Sequence, residues 1–501
     1  YEAKIAENTS WSCAHGVERW NSNCGCHTGG EAGWNQEWRG PLRKAFDWVR
    51  DTVEPIYEKE MGRFSNDVWE VRNNYIDVIF NRKEENVKAF LSRHFSENIT
   101  RTDKIKILQL LEMQYHAMLM YTSCGWFFDE VTGLESVQDI LYASRALQLA
   151  GNLTGEDFEP EFKTLLSKAK SNLPEHEDAA LAYENMVKPE MLNLLRVGAH
   201  YAISSLFTEY PEESKLYCYQ ASSLNHQTHE AGRQRLTVGR AILRSDITWE
   251  EEDMTYAVFH LGDHQLFGAV RSYQGEEAYE TMKSEIVQNF NRSNIHEIIY
   301  MLDKHFGAHN YSFWHLFRDD QRKILNVVLT KTLSGVEAMF RQLHESNFPI
   351  MQALHAVNMN LPNELKNIND FVMNADLTAI FKSPEPDLLE LEKAVENVKR
   401  FPVEIDCRTL NYFADISVTN LLKQLKANPA SLELMQKTEI LIRKIHELKL
   451  DPEFWEARNT AFAIHKEEYA HYEAKCLNQN KIAESWCTRF TALFQSLNMK
   501  I

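Results

Sequence analysis

The stretch IKILQLLEMQYHAMLM, residues 105–120, decides the fold of this chain. Its apolar residues fall nearly all round a helix instead of on one face, which is typical of a helix buried on every side. Another apolar stripe begins at Leu42 and repeats at helical spacing, directly after Gly40-Pro41, where proline takes the first helical position. We therefore predict a helical domain in which other helices pack around a buried one.

The residue pattern changes between about 214 and 273. There LTVGRAILRS (236–245) and MTYAVFHLGDHQLFGAV (254–270) alternate and are rich in β-branched and aromatic residues, which predicts three to five antiparallel strands. From Glu276 the pattern is helical again. The sequence thus predicts a mainly α fold, with helical domains and a small antiparallel β insert. We expect four parts: an opening loop at 1–40, a helical domain at 41–210, the β insert at 211–275 and a C-terminal helical domain at 276–501.

Composition and charge exclude several classes of function. The 501 residues carry 54 Lys and Arg against 72 Asp and Glu, and the net charge of -18 disfavours nucleic acid and anionic membranes as partners. No apolar stretch approaches the roughly 20 residues that cross a bilayer. Because the chain begins at Tyr1, within a chemically dense segment, we expect it to be part of a longer protein.

The distribution of cysteines along the chain indicates a reducing compartment. Of the eight cysteines, four stand alone in segments that read as scaffold: Cys218, Cys407, Cys476 and Cys487. Such isolated cysteines argue against a disulfide framework and for a reducing environment. We therefore predict a cytoplasmic location.

The opening segment holds the densest chemistry. SWSCAHGVERW (10–20) and NCGCHTGGEAGWNQEWRGPLR (23–43) bring together tryptophans, cysteines, histidines and glycines. Glycine lets backbone approach a ligand closely, and tryptophan offers flat apolar faces. Cysteine and histidine bind metals or move protons. A loop of this composition predicts a functional site.

One hypothesis for this segment is a metal site. Cys13, Cys24 and Cys26, together with the distant Cys124, supply four thiolates for zinc or an iron–sulfur cluster, and His15 or His27 can replace one of them. The spacing C-x10-C-x-C matches no common zinc-finger pattern. Two alternatives stay open: reduced thiols that line a packed loop, and a Cys13–Cys24 disulfide.

A second hypothesis is a sugar-binding site built from the opening segment and YTSCGWFFDE (121–130). Aromatic rings stack on the apolar face of a pyranose, while carboxylates and guanidinium groups bind its hydroxyls. The candidate contacts are Trp11, His15, Arg19, Trp20, Trp34, Trp38, Arg39, Trp126, Asp129 and Glu130. The alternative is structural: Arg19 ties the loop to the body, and 121–130 is an aromatic core plug followed by a helix cap.

Two smaller patterns have local interpretations. Thr132 and Glu135 have the spacing of a capping box, which predicts that they open the helix that ends at Gly151. Glu112 and His116 lie one helical turn apart, which suits a ligand pair but more often a pair that satisfies itself inside a core.

Several long motifs carry a resemblance to a known family: SWSCAHGVERW, CGC, GWNQEWRGPLR, MLMYTSCGWFFDE, AVFHLGDHQLFGAVR and LFRDDQRKIL. They are similar to the C-terminal region of unknown function that follows the catalytic barrel in some proteins of glycoside hydrolase family 57. The similarity runs from about residue 8 to at least 330.

That resemblance implies an α-glucan as substrate, and a barrel that carries a glutamate nucleophile and an aspartate acid/base. No βα alternation occurs here, so the catalytic pair corresponds to no residue of this chain, and the barrel is expected upstream or on a separate chain. The resemblance implies a helical accessory region that shapes a carbohydrate cleft. The residues themselves also allow a metal-bearing structural or redox module, and an interaction scaffold for a separate catalytic domain.

Overall fold

The structure is a computed structural model that describes residues 3–4, 6–262, 265–307, 310–401, 403–477 and 480–500. Its contacts divide the chain into two compact units, 1–325 and 326–501. The predicted mainly α fold with a small antiparallel sheet is confirmed. The finer division at residues 40, 210 and 275 stays a prediction.

The first unit contains a helical part and a sheet. Its α-helices are α1 (Arg39–Met61), α2 (Val68–Asn74), α3 (Ile76–Phe80), α4 (Glu84–His94), α5 (Arg101–Leu119), α6 (Leu134–Thr154), α7 (Glu159–Leu166), α8 (Ala179–Ala182), α9 (Leu194–Ser204), α10 (Glu276–Asn291) and α11 (Ile295–Phe306). Short 3₁₀ turns cover Glu18–Trp20, Ser123–Trp126, Pro174–His176, Lys188–Glu190 and Phe313–His315, and a π turn covers Tyr183–Val187.

Helix α5 is the centre of the helical part, as the sequence predicts. Every residue from 107 to 114 is buried, and α5 packs against α1 and α6. It begins in a capping box, in which the Thr100 hydroxyl accepts from the backbone N–H of Asp103 and the Asp103 carboxylate accepts from that of Thr100.

The predicted capping box of α6 is wrong. Helix α6 begins after Gly133 without a side-chain cap, because the Thr132 hydroxyl donates instead to the Glu130 carboxylate. The helix also continues past Gly151 to Thr154, and Gly155 ends it in the left-handed conformation that glycine adopts freely.

The sheet is an antiparallel meander whose strands follow chain order: β1 (Glu213–Leu216), β2 (Tyr219–Ala231), β3 (Gln234–Ser245), β4 (Glu251–Gly262), β5 (Gln265–Ser272) and β6 (Asn310–Tyr311). Residues 263 and 264 of the predicted sheet lie outside the described residues. Strand β4 is buried on both faces, since α9 packs on one and α10 and α11 on the other.

The second unit is helical. Helix α12 (Arg318–Ala356) begins before residue 326, where the second unit starts. The other α-helices of this unit are α13 (Asn363–Lys382), α14 (Leu388–Arg400), α15 (Cys407–Ala427), α16 (Leu432–Glu447), α17 (Trp455–Ile464), α18 (Ala470–Leu477) and α19 (Lys481–Ser496). A separate apolar core joins α13 to α19. In the described part of the chain, no helix combines the length and apolarity that crossing a bilayer requires.

Candidate metal centre

Residues 10–38 form an irregular segment that runs over the start of α1. One 3₁₀ turn, Glu18–Trp20, interrupts it, and Arg39 then begins α1. The segment is held against the turn after α5 by the buried Arg19, whose Nη1 donates to the carbonyl of Phe127 at 2.8 Å and to the Thr28 hydroxyl at 3.0 Å. Its Nη2 donates to the carbonyl of Cys26 at 3.1 Å. Arg19 therefore fixes the backbone next to a cysteine.

Three thiols and one imidazole converge within this segment. The Sγ of Cys13 lies 3.8 Å from that of Cys24 and 3.7 Å from that of Cys26, and the Sγ of Cys26 lies 3.6 Å from Nδ1 of His15. The four possible ligand atoms all lie within 4.8 Å of one another. They form one compact group of potential metal ligands.

These separations can be compared with those of a tetrahedral zinc site. Zinc–sulfur bonds of about 2.3 Å and zinc–nitrogen bonds of about 2.0 Å place two sulfurs about 3.8 Å apart, and a sulfur and a nitrogen about 3.5 Å apart. The Cys13–Cys24, Cys13–Cys26 and Cys26–His15 distances of 3.8, 3.7 and 3.6 Å lie within about 0.1 Å of these values. The residues present therefore fit a zinc ion with three thiolate ligands and one imidazole ligand.

Two glycines shape the backbone that carries these ligands. Gly25, between Cys24 and Cys26, has a φ of 73°, and Gly16, after His15, has a φ of 76°. Both values lie in the left-handed region, which glycine adopts at no steric cost. A reversal at Gly25 allows two cysteines only one residue apart to contribute to the same centre.

A buried guanidinium group lies beside the thiols. Nη1 of Arg39 is 3.7 Å from the Sγ of Cys24, and its side chain is fully buried. Burial raises the pKa of the Cys13 thiol, but hydrogen bonds from the backbone N–H groups of His15 and Arg19 outweigh it, and the pKa falls to about 7. Burial raises the pKa of Cys24. The positive charge of Arg39 favours thiolate at this centre.

Asp129 connects the opening segment, residues 10–38, to the helical core. Its Oδ2 accepts from the backbone N–H of Thr28 at 3.0 Å and lies 3.2 Å from Nδ1 of His27. Its Oδ1 accepts from Nε2 of Gln36 at 3.3 Å and lies 3.5 Å from Nη2 of Arg39. The carboxylate is buried and its charge is used inside the protein, so Asp129 positions the segment and Arg39 together.

Glu130 has an equally internal role. Its Oε1 accepts from the hydroxyls of Thr132 at 3.0 Å and Ser171 at 2.7 Å, and its Oε2 accepts from the backbone N–H of Asn172 at 2.8 Å. The Asn172 side chain in turn donates to the carbonyls of Asn35 and Asp129. Gln36, Ser171 and Asn172 are site residues that sequence reasoning missed, and no motif marks 171–172 in the sequence.

The predicted sugar contacts differ in how far they are exposed to solvent. Six are buried: Arg19, Trp38, Arg39, Trp126, Asp129 and Glu130. Trp38 and Trp126 stack with ring centroids 6.2 Å apart inside the core. Trp20 and Trp34 are half-buried, and the exposed His15 belongs to the metal cluster.

Trp11 is different because its side chain is 90% exposed. Its ring lies 5.8 Å from that of Phe127, which meets the exposed Phe128 at 5.3 Å. We call Trp11, Phe127 and Phe128 the aromatic row.

Among the predicted metal ligands, Cys124 lies outside the cluster. It is exposed on the 3₁₀ turn Ser123–Trp126, and the fourth member of the described cluster is His15, one of the two substitutes that the sequence suggests. His27, the other substitute, contacts Asp129 instead. The structure does not show the alternative of a Cys13–Cys24 disulfide, because both residues are free thiols.

Comparison with known proteins assigns the scaffold to a family. The family described as domain of unknown function (DUF3536) matches residues 34–317, more than half of the chain, so the chain belongs to that family. No curated protein and no solved structure matches it. The four clustered ligands precede residue 34, whereas Arg39, Asp129 and Glu130 lie within the matched range.

Proposed function

We propose that this member of the DUF3536 family holds a structural zinc ion through Cys13, His15, Cys24 and Cys26. The observation that carries the proposal is the set of sulfur–sulfur and sulfur–nitrogen distances, which agree with tetrahedral coordination by three thiolates and one imidazole. Four protein ligands fill the coordination sphere. A closed sphere of this kind suits a structural site, because a catalytic zinc keeps one position for water or substrate.

Zinc is favoured over an iron–sulfur cluster by the same distances. In an iron–sulfur cluster, cysteine sulfurs bound to different irons lie much farther apart than sulfurs around a single ion. Here the Sγ of Cys13 is within 3.8 Å of the other two. A divalent ion with three thiolates carries about one net negative charge, and Arg39 is placed to balance it.

The proposed role of the ion is to fix the opening segment onto the helical core. The segment has little regular structure, so its ordering entropy must be offset by specific contacts. Metal binding supplies such free energy directly, since the site is absent in the unfolded chain. The ion would hold 13–26 in one conformation, and the Asp129 and Glu130 networks would attach that conformation to the body.

Elemental analysis of anaerobically purified protein tests this proposal. We expect one zinc per chain, lost in the variant Cys24→Ser and kept in the matched variant Cys124→Ser, whose thiol is exposed outside the cluster. Iron with inorganic sulfide, or zinc that depends on Cys124, would contradict the assignment of ligands and metal.

A second proposed function concerns carbohydrate. The motif resemblance to the region after the barrel in glycoside hydrolase family 57 favours an accessory role beside an α-glucan-processing barrel. One structural observation agrees with that role: in the aromatic row, the ring of Trp11 is exposed on the surface of the opening segment. Such a ring can stack on a glucose unit or dock a separate catalytic domain.

Titration with maltoheptaose, followed by tryptophan fluorescence, tests the glucan role. We expect weak saturable binding and no hydrolysis, with binding lost in Trp11→Ala and kept in Trp455→Ala, which removes an exposed tryptophan of the second unit. Zinc content must stay unchanged in both variants. Equal binding by both variants would show that the aromatic row does not bind the glucan. Hydrolysis by this chain would contradict the accessory role.

A further inference from the structure

A cavity of about 240 Å³ lies between α5, α6 and the sheet of the first unit. None of its lining residues belongs to the zinc cluster or to the aromatic row. Glu112 and His116 reach it from α5, Tyr142 and Arg145 from α6, and Tyr219 and Thr248 from the sheet side. Its volume is slightly below the roughly 300 Å³ at which common ligand pockets begin, so it suits a molecule with one ring.

Among the charged residues that line this cavity, Arg145 is the one without a carboxylate partner in the described ranges. Glu112 is buried, and its Oε1 accepts from the Tyr75 hydroxyl at 2.5 Å and from Arg82 at 2.7 Å, so its charge is matched internally. Glu190, also in the lining, pairs with Arg318 at 3.2 Å. Arg145 donates one hydrogen bond, to the side-chain oxygen of Gln148, and forms no ion pair with a carboxylate in the described ranges. A half-buried arginine in this situation favours an anion.

His116 supplies the complementary acceptor. Its Nδ1 lies 2.8 Å from the backbone carbonyl of Glu112, and because a carbonyl only accepts, Nδ1 must carry the proton. Burial lowers the pKa of His116, so the ring is neutral and Nε2 keeps a lone pair. The backbone carbonyl of Glu112 therefore satisfies Nδ1 of His116, and Nε2 remains as the acceptor nitrogen of a residue that lines the cavity.

We propose that this cavity binds a small hydroxycarboxylate with an apolar body. The carboxylate would accept hydrogen bonds from Arg145, and the hydroxyl would donate to Nε2 of His116. Leu141, Met191 and Ile247 provide apolar walls for the rest of the molecule. The proposal is independent of zinc and of glucan binding, since it uses none of their residues.

Ligand-observed NMR with mandelate as the probe tests the charge of the site. Mandelamide, which has the same shape without the charge, is the neutral control. We expect saturable binding of mandelate at least tenfold stronger than that of mandelamide, since hydrogen bonds to charged groups are stronger than those to neutral groups. Arg145→Met removes this preference, whereas Arg145→Lys keeps part of it. Arg63→Met, at an arginine outside the cavity, leaves it unchanged.

Phenylacetate, which lacks the hydroxyl, tests the role of His116. We expect a few-fold preference for mandelate over phenylacetate in the unmodified protein, and none in His116→Asn, whose amide can still donate to the Glu112 carbonyl. Circular dichroism confirms that each variant is folded. Equal binding of mandelate and mandelamide, unchanged binding in Arg145→Met, or no saturable binding of mandelate at all would each overturn the proposal.

Discussion

Two groups of cysteines in this chain lie at similar distances but have different surroundings. In the first unit, Cys13, Cys24 and Cys26 meet His15, and neighbouring sulfurs are 3.7–3.8 Å apart. In the second unit, the Sγ atoms of Cys476 and Cys487 are 3.3 Å apart. Among the residues described, no cluster of three or more metal-ligating side chains forms around that pair. The number of convergent ligands, and not the proximity of two sulfurs, therefore distinguishes the candidate metal centre.

The two groups also differ in electrostatics. Arg39 lies beside the first group, and the pKa of Cys13 is about 7. Burial, together with Cys476, raises the pKa of Cys487 to about 11. Thiolate is the form of cysteine that binds metals, so the lowered pKa of Cys13 favours metal binding at the first group.

Removal of zinc should give the largest difference between the two groups. Treatment with 1,10-phenanthroline should abolish amide-exchange protection in 10–39 and leave α18 and α19 unchanged, because structural zinc contributes about 10 kcal/mol or more to folding. Hydrogen–deuterium exchange with mass spectrometry measures both regions at once. The isomer 1,7-phenanthroline, which does not chelate, is the control, and equal protection with both reagents would count against a bound ion.

Loss of the guanidinium beside the thiols should have the next largest effect. Arg39→Met removes the positive charge near Cys24 and leaves Asp129 without that partner, so zinc affinity should fall about 10- to 100-fold. Competition with a chromogenic chelator measures the affinity. Arg50→Met, at an exposed arginine, should leave it unchanged. An unaltered affinity in Arg39→Met would show that Arg39 is a packing residue only.

Oxidation should act on the second group. Two protons and two electrons pass from the thiols of Cys476 and Cys487 to diamide, and one sulfur–sulfur bond forms. The cross-link should stabilise the second unit by about 2 kcal/mol, because it restricts the unfolded chain between α18 and α19. Peptide mapping by mass spectrometry locates the bond, with Cys476→Ser as the control. A Cys13–Cys24 disulfide in zinc-loaded protein would contradict the contrast between the groups.

The smallest expected effect comes from the backbone at Gly25. Alanine in the left-handed conformation costs about 1 kcal/mol, so Gly25→Ala should weaken zinc binding about fivefold. Nothing lies within 4 Å of the added Cβ, which isolates the conformational effect from steric clash. Gly335→Ala, in the helical interior of α12 and equally free of neighbours, is the matched control for chelator competition.

Sequence alone predicts much of the fold, because hydrophobic periodicity reflects burial directly. The all-round apolar pattern of 105–120 predicts the central helix α5, and alternation predicts the sheet. The capping box at Thr132 is wrong because a tertiary partner, Glu130, takes the hydroxyl. Local spacing contains no information about such a partner.

The sequence predicts which types of residue form the candidate site, but not which individual residues form it. The density of cysteine, histidine and glycine in 10–39 indicates a candidate metal site, yet the spacing of the cysteines does not choose between His15 and Cys124. That choice depends on the backbone reversal at Gly25 and on the surface to which Arg19 and Asp129 hold the segment. Sequence spacing gives no sign that Cys476 and Cys487 meet, since two helices bring together side chains that are 11 positions apart.

X-ray absorption at the zinc edge measures the ligand set of the proposed ion. We expect three sulfurs at about 2.3 Å and one nitrogen at about 2.0 Å, with the nitrogen replaced by a light solvent or side-chain atom in His15→Ala. A shell of four sulfurs in the unmodified protein would contradict the proposed site, because it would place Cys124 and not His15 in the coordination sphere.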